Sequence, residues 1–306
     1  MSSVRKSSVR KGRVKRAAMA AASVCALAVG YVYVASEARL RAHYEVKAPL
    51  IAVPSDYASI AHGEHVVRAL AKCTGCHGDD LGGGIVVDNP LAGRLSAPNL
   101  TSGPIAHRTD DELLRALVHG VAPDGRPLVL MPAHEIGQLG DDDLGAVIAY
   151  LRTATPVVRE VPPLRVGPAI RVKLALNALD ILPAARIDHA RPRTSAPVAE
   201  ATASYGAYLA KTGGCYGCHG PTLAGGPIPG MPPGMRPAAD IRPRALAAWS
   251  FADFDRALRL GIRPDGAQLA ELMPWRATAR MTDTEMRALY LYLKGDGASV
   301  KSASNP

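Results

Sequence analysis

Two short cysteine motifs stand out in the chain, CTGCHG at residues 73–78 and CYGCHG at residues 215–220. The pattern C-x-x-C-H is the attachment signature of a c-type haem, in which both thiols bond covalently to the porphyrin and the histidine ligates the iron. The sequence therefore predicts two haem c groups. They would be attached through Cys73 and Cys76 and through Cys215 and Cys218, with His77 and His219 as axial iron ligands.

Two other uses of paired cysteines fit less well. A thioredoxin-type dithiol does not need the following histidine, and neither motif lies in a βαβ pattern. Four thiolates could bind zinc, but structural zinc pairs are usually about 12 to 20 residues apart. Here the second pair begins 142 residues after the first.

The sixth iron ligand is expected to be a methionine in each repeat. Met131 and Met273 both precede a proline, and each lies 58 residues after the first cysteine of its motif. A thioether opposite an imidazole is a common electron-transfer pairing, although most methionines simply fill cores. His134 is the alternative ligand in the first repeat. The other histidines lack ligand spacing and are interpreted as surface or helix residues: His43, His62, His65, His107, His119 and His189.

The segments around the motifs repeat in the same register and read as helices. Thr109 with Glu112 and Ser250 with Asp253 form capping boxes, and Gly120 and Gly261 should end these helices. A closing helix follows each Met-Pro, with apolar residues at the helical spacing i, i+3, i+4 and i+7. These are Leu144, Val147, Ile148 and Leu151 in the first repeat and Met286, Leu289, Tyr290 and Leu293 in the second.

Each repeat is thus predicted to be an all-α domain, over residues 55–155 and 202–296. A domain of this size buries only about 60–65% of its surface on folding. Aromatic residues make up only 5% of the chain, so a haem in each domain would supply the missing core.

The N-terminus combines a basic segment, residues 1–16, with twenty uncharged residues, 17–36. Twenty apolar residues can span a bilayer, and positive charge favours the cytoplasmic side. A cleaved signal peptide is the alternative, and Cys25 would be an inert thiol in this segment. Seven of the 36 basic residues lie in the first sixteen positions. From position 37 onward, 29 basic residues are nearly balanced by 27 acidic residues, so nucleic-acid binding is not expected.

The joint between the domains, residues 156–201, is rich in proline and suggests an extended linker. Residues 169–182 inside it are apolar and predict a helix with two apolar faces. We expect the face of Val172, Ala175, Leu176, Leu179 and Leu182 to pack on a haem domain. The opposite face, Ile170, Leu174 and Ile181, would be partly exposed and available to a partner protein. Residues 297–306 are expected to form a flexible tail.

The paired stretches APNLT (97–101), GVAPDG (120–125), LMP (130–132) and MTDTEMRALYLYLKG (281–295), together with both C-x-x-C-H motifs, resemble the class I cytochrome c subunits of periplasmic alcohol and gluconate dehydrogenases. The resemblance implies two tandem class I cytochrome c domains. The transmembrane helix expected at the N-terminus rests on residues 17–36 and is a departure from these subunits. Those subunits typically hold three haems, whereas this chain has two motifs.

The basic segment ahead of residues 17–36 predicts a single-pass protein of the inner membrane with its haem domains in the periplasm. It would carry electrons between a dehydrogenase and an acceptor such as a terminal oxidase or another cytochrome, without catalytic residues of its own. Two alternatives remain. One is the dihaem subunit of a cbb-type oxidase, and the other is a dihaem peroxidase, which needs an open sixth position on one iron.

Overall fold

The computed structural model describes residues 2–179, 181–231 and 234–295. A long first helix, α1 (Ser2–Leu40), precedes two helical domains. The first domain contains α2 (Tyr57–His65), α3 (Thr74–His77), α4 (Asp110–Leu114), α5 (Ala133–Ile136) and α6 (Asp141–Thr153). After the connector helix α7 (Pro168–Ala175), the second domain contains α8 (Ala203–Thr212), α9 (Cys215–His219), α10 (Phe251–Leu260), α11 (Trp275–Thr278) and α12 (Asp283–Lys294). The flexible tail expected at 297–306 lies outside the described residues.

The first and last helices of each domain cross at a glycine. A Cβ on Gly63 of α2 would lie 1.9 Å from the carbonyl oxygen of Ala146 in α6. In the second domain, a Cβ on Gly206 of α8 would lie 2.0 Å from the carbonyl oxygen of Ala288 in α12. Each crossing therefore requires a residue without a side chain, because the two backbones are in contact.

The repeated core and caps agree with the sequence. Capping boxes begin α4 at Thr109, α10 at Ser250 and α12 at Thr282, and each joins the N-cap hydroxyl to an acidic residue three positions on. Gly120 and Gly261 take the left-handed conformation at the helix ends predicted for them, with φ of 65° and 72°.

The closing helices α6 and α12 present their apolar faces to one continuous core that both domains share. Six of the eight predicted positions are at most 5% exposed, and Leu151 and Tyr290 are partly buried. The periodicity of apolar residues therefore located the buried face of both helices.

The first domain has one extra residue in its N-terminal helix. The segment Val66–Leu70 continues α2 as a π-helical turn, whereas α8 is regular up to Thr212. A π turn accommodates a one-residue insertion within a helix. Gly63 therefore lies ten residues before its cysteine motif and Gly206 nine before its own, although the two occupy equivalent positions.

A small sheet accompanies the helices of the first domain. Strands β1 (Gly84–Asn89) and β2 (Gly93–Ala97) form an antiparallel hairpin, and β3 (Arg165–Val166) from the connector pairs with β2. Gly93 has a φ of +88°, and a Cβ there would lie 2.1 Å from the carbonyl oxygen of Arg165. The hairpin follows the first cysteine motif, in a stretch that carries little helical periodicity.

The connector helix is shorter than predicted and buries the other face. It spans Pro168–Ala175 rather than 169–182, and Asn177 beyond it has a left-handed φ of 55°. Leu174 is fully buried and Ile170 is 8% exposed, whereas Val172 and Leu176 are 41% and 64% exposed. The expectation that Ile170 and Leu174 would be exposed to a partner was wrong.

The reason for this error lies in contacts with distant segments. Ile170 and Leu174 pack with Leu95 of β2 and Leu182, and the cluster is closed by Leu40 at the end of α1. Because the helix ends at Ala175, the predicted stripe does not continue through Leu176, which is exposed, whereas Leu182 is buried as expected. The partner-docking surface assigned to that face is therefore withdrawn.

One helix among the described residues is long and apolar enough to cross a membrane, at Arg13–Leu40 near the N-terminus. Its apolar window is not buried against the rest of the protein. Ser36, in contrast, is fully buried, so the domain begins to contact the helix where the uncharged stretch ends.

Candidate haem-binding sites

The first cysteine motif forms a short helical turn at the surface of the shared core. Cys73 is half-buried and packs against the core, while Cys76 is exposed. Burial raises the pKa of the Cys73 thiol to about 12 and also raises the pKa of Cys76. Cys73 therefore lies where an apolar porphyrin could contact the core.

His77 is oriented by a hydrogen bond from its own ring. Its Nδ1 lies 2.8 Å from the carbonyl oxygen of Pro98, to which it donates. This bond fixes the tautomer and leaves Nε2 as the lone-pair nitrogen, which is the form that ligates a metal. Burial lowers the pKa of His77, so the imidazole is neutral and suited to an iron.

The second motif repeats this arrangement. Cys215 and Cys218 are half-buried, and burial raises the pKa of both thiols. The His219 Nδ1 donates to the carbonyl oxygen of Ala239 at 2.7 Å, which again leaves Nε2 available. The thiols, the oriented imidazole and the adjoining core fit a covalent haem in each domain.

Both proposed methionine ligands lie in equivalent positions at the core. Met131 and Met273 are partly buried and pack against the shared cluster, and each is followed by the proline that caps a short helix, α5 or α11. The Nε2 of the rival ligand His134 lies 3.3 Å from an Arg186 guanidinium nitrogen, so a cation already occupies that side of the ring. This contact favours Met131, whose ligation remains a prediction.

A zinc tetrad is excluded within the described part of the chain. No group of three or more His, Cys, Asp or Glu side chains there could hold a metal ion, so the four motif cysteines do not converge. The two motifs are separate sites.

Two buried carboxylates join the domains, which the sequence did not predict. In the first domain, Asp143 near the start of α6 is 2.6 Å from Nε2 of His62 on α2. The same carboxylate accepts a short hydrogen bond from the Tyr208 hydroxyl on α8 of the other domain. The Tyr208 hydroxyl oxygen in turn accepts a hydrogen bond from the Gly140 amide at 2.9 Å. Asp143 is therefore bonded from both domains.

Glu285 makes the equivalent contacts in the second domain. The Tyr205 hydroxyl on α8 of its own domain lies 3.4 Å from it, and His65 of the first domain lies 2.9 Å from both carboxylate oxygens. Once the π turn is taken into account, His62 corresponds to Tyr205 and His65 to Tyr208. The two domains thus pack with approximate two-fold symmetry.

Next to this interface, the first domain contacts the second attachment turn. The Lys72 ammonium donates a short hydrogen bond to the Gly213 carbonyl, and burial lowers its pKa. A Cβ on Gly214 or Gly217 would lie 2.7 or 2.5 Å from the carboxylate oxygens of Glu135. Because Glu135 lies on α5, directly after Met131, the methionine segment of one domain touches the haem-attachment turn of the other.

His62 and His65 were interpreted as surface or helix residues, and the structure places them in the domain interface. An alignment of the two repeats could have identified them, because it places each histidine at the position of a tyrosine in the second domain. That alignment is hidden by the one-residue insertion in α2.

We expect Asp143→Ala to destabilise the protein by about 2 kcal/mol, since it leaves the His62 and Tyr208 side chains without their partner. The exposed neighbour Asp142→Ala is the matched control, because it also removes an acid from the first turn of α6. Urea unfolding with a Tyr208→Phe double-mutant cycle measures the contact. Equal losses in the two alanine variants would show that the interdomain bond contributes nothing.

The His62 contact also predicts a pH dependence. Its hydrogen bond to Asp143 raises the pKa of His62, so the contribution is complete below its unfolded pKa of about 6.5 and is lost as pH rises through the folded value. We expect stability to fall slightly between pH 6 and 8, by well under 1 kcal/mol because His62 is half exposed. In His62→Gln the fall in the urea unfolding midpoint between pH 6 and 8 should disappear. If the midpoint falls as it does in the unmodified protein, a group other than His62 causes the pH dependence.

The comparisons with known proteins agree with this organisation. Residues 58–151 match the family described as cytochrome c oxidase, cbb3-type, subunit III, and residues 203–295 match the family described as cytochrome c. The chain therefore consists of two cytochrome c domains behind an apolar N-terminal helix, and it carries two covalently bound haem c groups.

Within that class, the chain is homologous to cytochrome subunits of dehydrogenases. It is 40% identical over 94 residues to the cytochrome c subunit of an alcohol dehydrogenase (quinone) from Gluconacetobacter polyoxogenes, which covers 28% of this chain and 20% of the relative. It is 37% identical over 109 residues to the fructose dehydrogenase cytochrome subunit of Gluconobacter japonicus, covering 33% and 22%.

The gluconate 2-dehydrogenase cytochrome c subunit of Pantoea cypripedii is 33% identical over 112 residues, covering 34% of this chain and 25% of the relative. The chain thus spans only about a fifth to a quarter of the length of the curated relatives it matches. The homology establishes the type of domain, and the partners of the whole protein are a separate question.

Proposed function

We propose that the protein is a membrane-anchored dihaem cytochrome c that passes electrons from a periplasmic dehydrogenase to a downstream acceptor, such as a terminal oxidase or another cytochrome. The observation that carries this proposal is the duplicated site. Each of two domains packed together has an oriented imidazole and a cysteine pair, one cysteine of which packs against the core. The bound haem supplies one-electron exchange at its iron.

The chain's own residues hold each haem and control access to it. Cys73 and Cys76, and likewise Cys215 and Cys218, would form the thioether bonds, while His77 and His219 would present Nε2 to the iron. Met131 and Met273 would complete the coordination and leave small molecules no vacant position. A peroxidase is disfavoured because its catalytic iron requires an open sixth position, whereas both domains place a methionine equivalently.

The interface gives the electron a short route between the domains. Lys72 and Glu135 of the first domain touch the segment that carries Cys215, so the two attachment regions are neighbours. The Asp143 and Glu285 contacts hold this arrangement in place.

The N-terminal helix would hold the protein in the inner membrane. Its basic first segment favours the cytoplasmic side, which puts residues 37 onward in the periplasm. There the haem domains would be accessible to a periplasmic dehydrogenase. The match of the first domain to a cbb3-type oxidase subunit keeps assembly with an oxidase as the second candidate.

Affinity purification from detergent-solubilised membranes tests the proposal. A dehydrogenase subunit should co-purify, and its substrate should reduce both haems of the preparation. Recovery with a multi-spanning oxidase and no dehydrogenase would favour the second candidate, and hydrogen peroxide turnover by the purified chain would favour a peroxidase.

A further inference from the structure

The connector helix α7 is bonded to the C-terminal end of α1, where its uncharged stretch ends. Arg171 donates to the Ser36 hydroxyl at 3.0 Å and to the Glu37 carboxylate at 2.8 Å, and its guanidinium lies 4.3 Å from the centre of the Tyr33 ring. In return, Arg39 donates to the Leu174 carbonyl at 2.8 Å. Contacts made by both helices thus fix the position of α7 along α1.

These contacts determine the height of α7 relative to a bilayer. The uncharged stretch of α1 ends at Ser36, the residue that Arg171 binds, and Tyr33 lies one turn before it. With a rise of 1.5 Å per residue, residues 33–39 extend over about 9 Å, which is comparable to a headgroup region of roughly 5–8 Å. If α1 spans the membrane, α7 therefore lies at the membrane surface.

At this height the protein exposes apolar side chains. Val172 on α7 and Leu176, the residue directly after its end, are 41% and 64% exposed, and Lys173 between them is also exposed. Leu91, at the tip of the β1–β2 hairpin, is 67% exposed and adjoins the helix, since the Ala169 amide donates to its carbonyl at 3.0 Å. Arg165 in β3 adds a second exposed basic residue.

We propose that Leu91, Val172 and Leu176 form a second membrane contact, in which these side chains enter the headgroup region while Lys173 and Arg165 face anionic lipid headgroups. Apolar residues beside basic ones are the composition of surface-bound amphipathic segments. Lipid is the occupant of this surface because α7 is bonded to the helix that enters the bilayer, and the anchor keeps the surface at the membrane permanently. The contact rests on the anchoring proposed above and would fix the tilt of the first domain over the membrane.

Spin-label accessibility on the full haem-loaded chain in anionic lipid nanodiscs tests the contact. Spin labels are placed at Val172→Cys, Leu176→Cys and Leu260→Cys in a Cys25→Ser background. For each label, the accessibility to lipid-soluble oxygen is divided by the accessibility to a water-soluble nickel chelate. This ratio should be several-fold higher at Val172 and Leu176 than at Leu260. Leu260 is the matched control, because it is 57% exposed on a helix of the second domain.

The possible outcomes separate this contact from the anchor. Labels on α7 that are as water-accessible as the Leu260 label, in protein that has inserted, overturn the membrane contact and leave the anchor intact. Labels that become protected only when a dehydrogenase is added overturn it in favour of a protein partner. A full-length chain that fails to insert refutes the anchor and the contact together.

Discussion

Met131→Ala removes about half of the long-wavelength methionine–sulfur charge-transfer absorption of the oxidised protein and makes one of the two reduced haems reactive with carbon monoxide. The reason is that we expect the thioether to be the sixth ligand of the first haem, and alanine cannot replace it. Met273→Ala should have the same effect on the second haem, and the double variant should lose the band. Optical spectra of the oxidised and reduced variants measure both changes.

Met235→Ala is the control for this experiment. Met235 lies in the second domain, is 45% exposed and has no counterpart in the first repeat, so its loss should leave the spectrum unchanged. An unaltered band in Met131→Ala would remove Met131 from the iron. His134→Ala would then be the variant in which the first haem changes, although its contact with Arg186 argues against it.

Gly63→Ala destabilises the first domain by about 3 kcal/mol, since the added methyl group would overlap the Ala146 carbonyl and force α2 and α6 apart. Gly206→Ala should do the same to the second domain through Ala288. Urea unfolding followed by circular dichroism and by haem absorption measures the loss.

Gly84→Ala is the matched control for both variants, because a Cβ at that position would meet no atom within 4 Å. It should change stability by a few tenths of a kcal/mol. If Gly63→Ala and Gly84→Ala unfold at the same denaturant concentration, α2 and α6 do not cross as closely as described.

Features set by neighbouring residues could be predicted from the sequence. The capping boxes at Thr109 and Ser250 and the left-handed Gly120 and Gly261 depend on groups within one helical turn. The buried faces of α6 and α12 follow from helical periodicity, which needs only a single core on one side. The haem motifs themselves are local patterns of five residues.

The interface and the connector depended on residues far apart in the sequence. Asp143 meets a histidine 81 positions before it and a tyrosine 65 positions after it, and a single chain carries no local sign of such pairs. On α7 both faces are apolar, so the pattern could not decide which one is buried. Leu95 and Leu40 decided it by covering Ile170 and Leu174.

A potentiometric titration of the purified protein, followed by absorption and electron paramagnetic resonance, tests the central claim that two six-coordinate haems carry single electrons. The account predicts that each chain takes up two electrons, one at each haem, with both haems low-spin in the oxidised state. Uptake of only one electron per chain, or a substantial high-spin ferric signal from either haem, would contradict it.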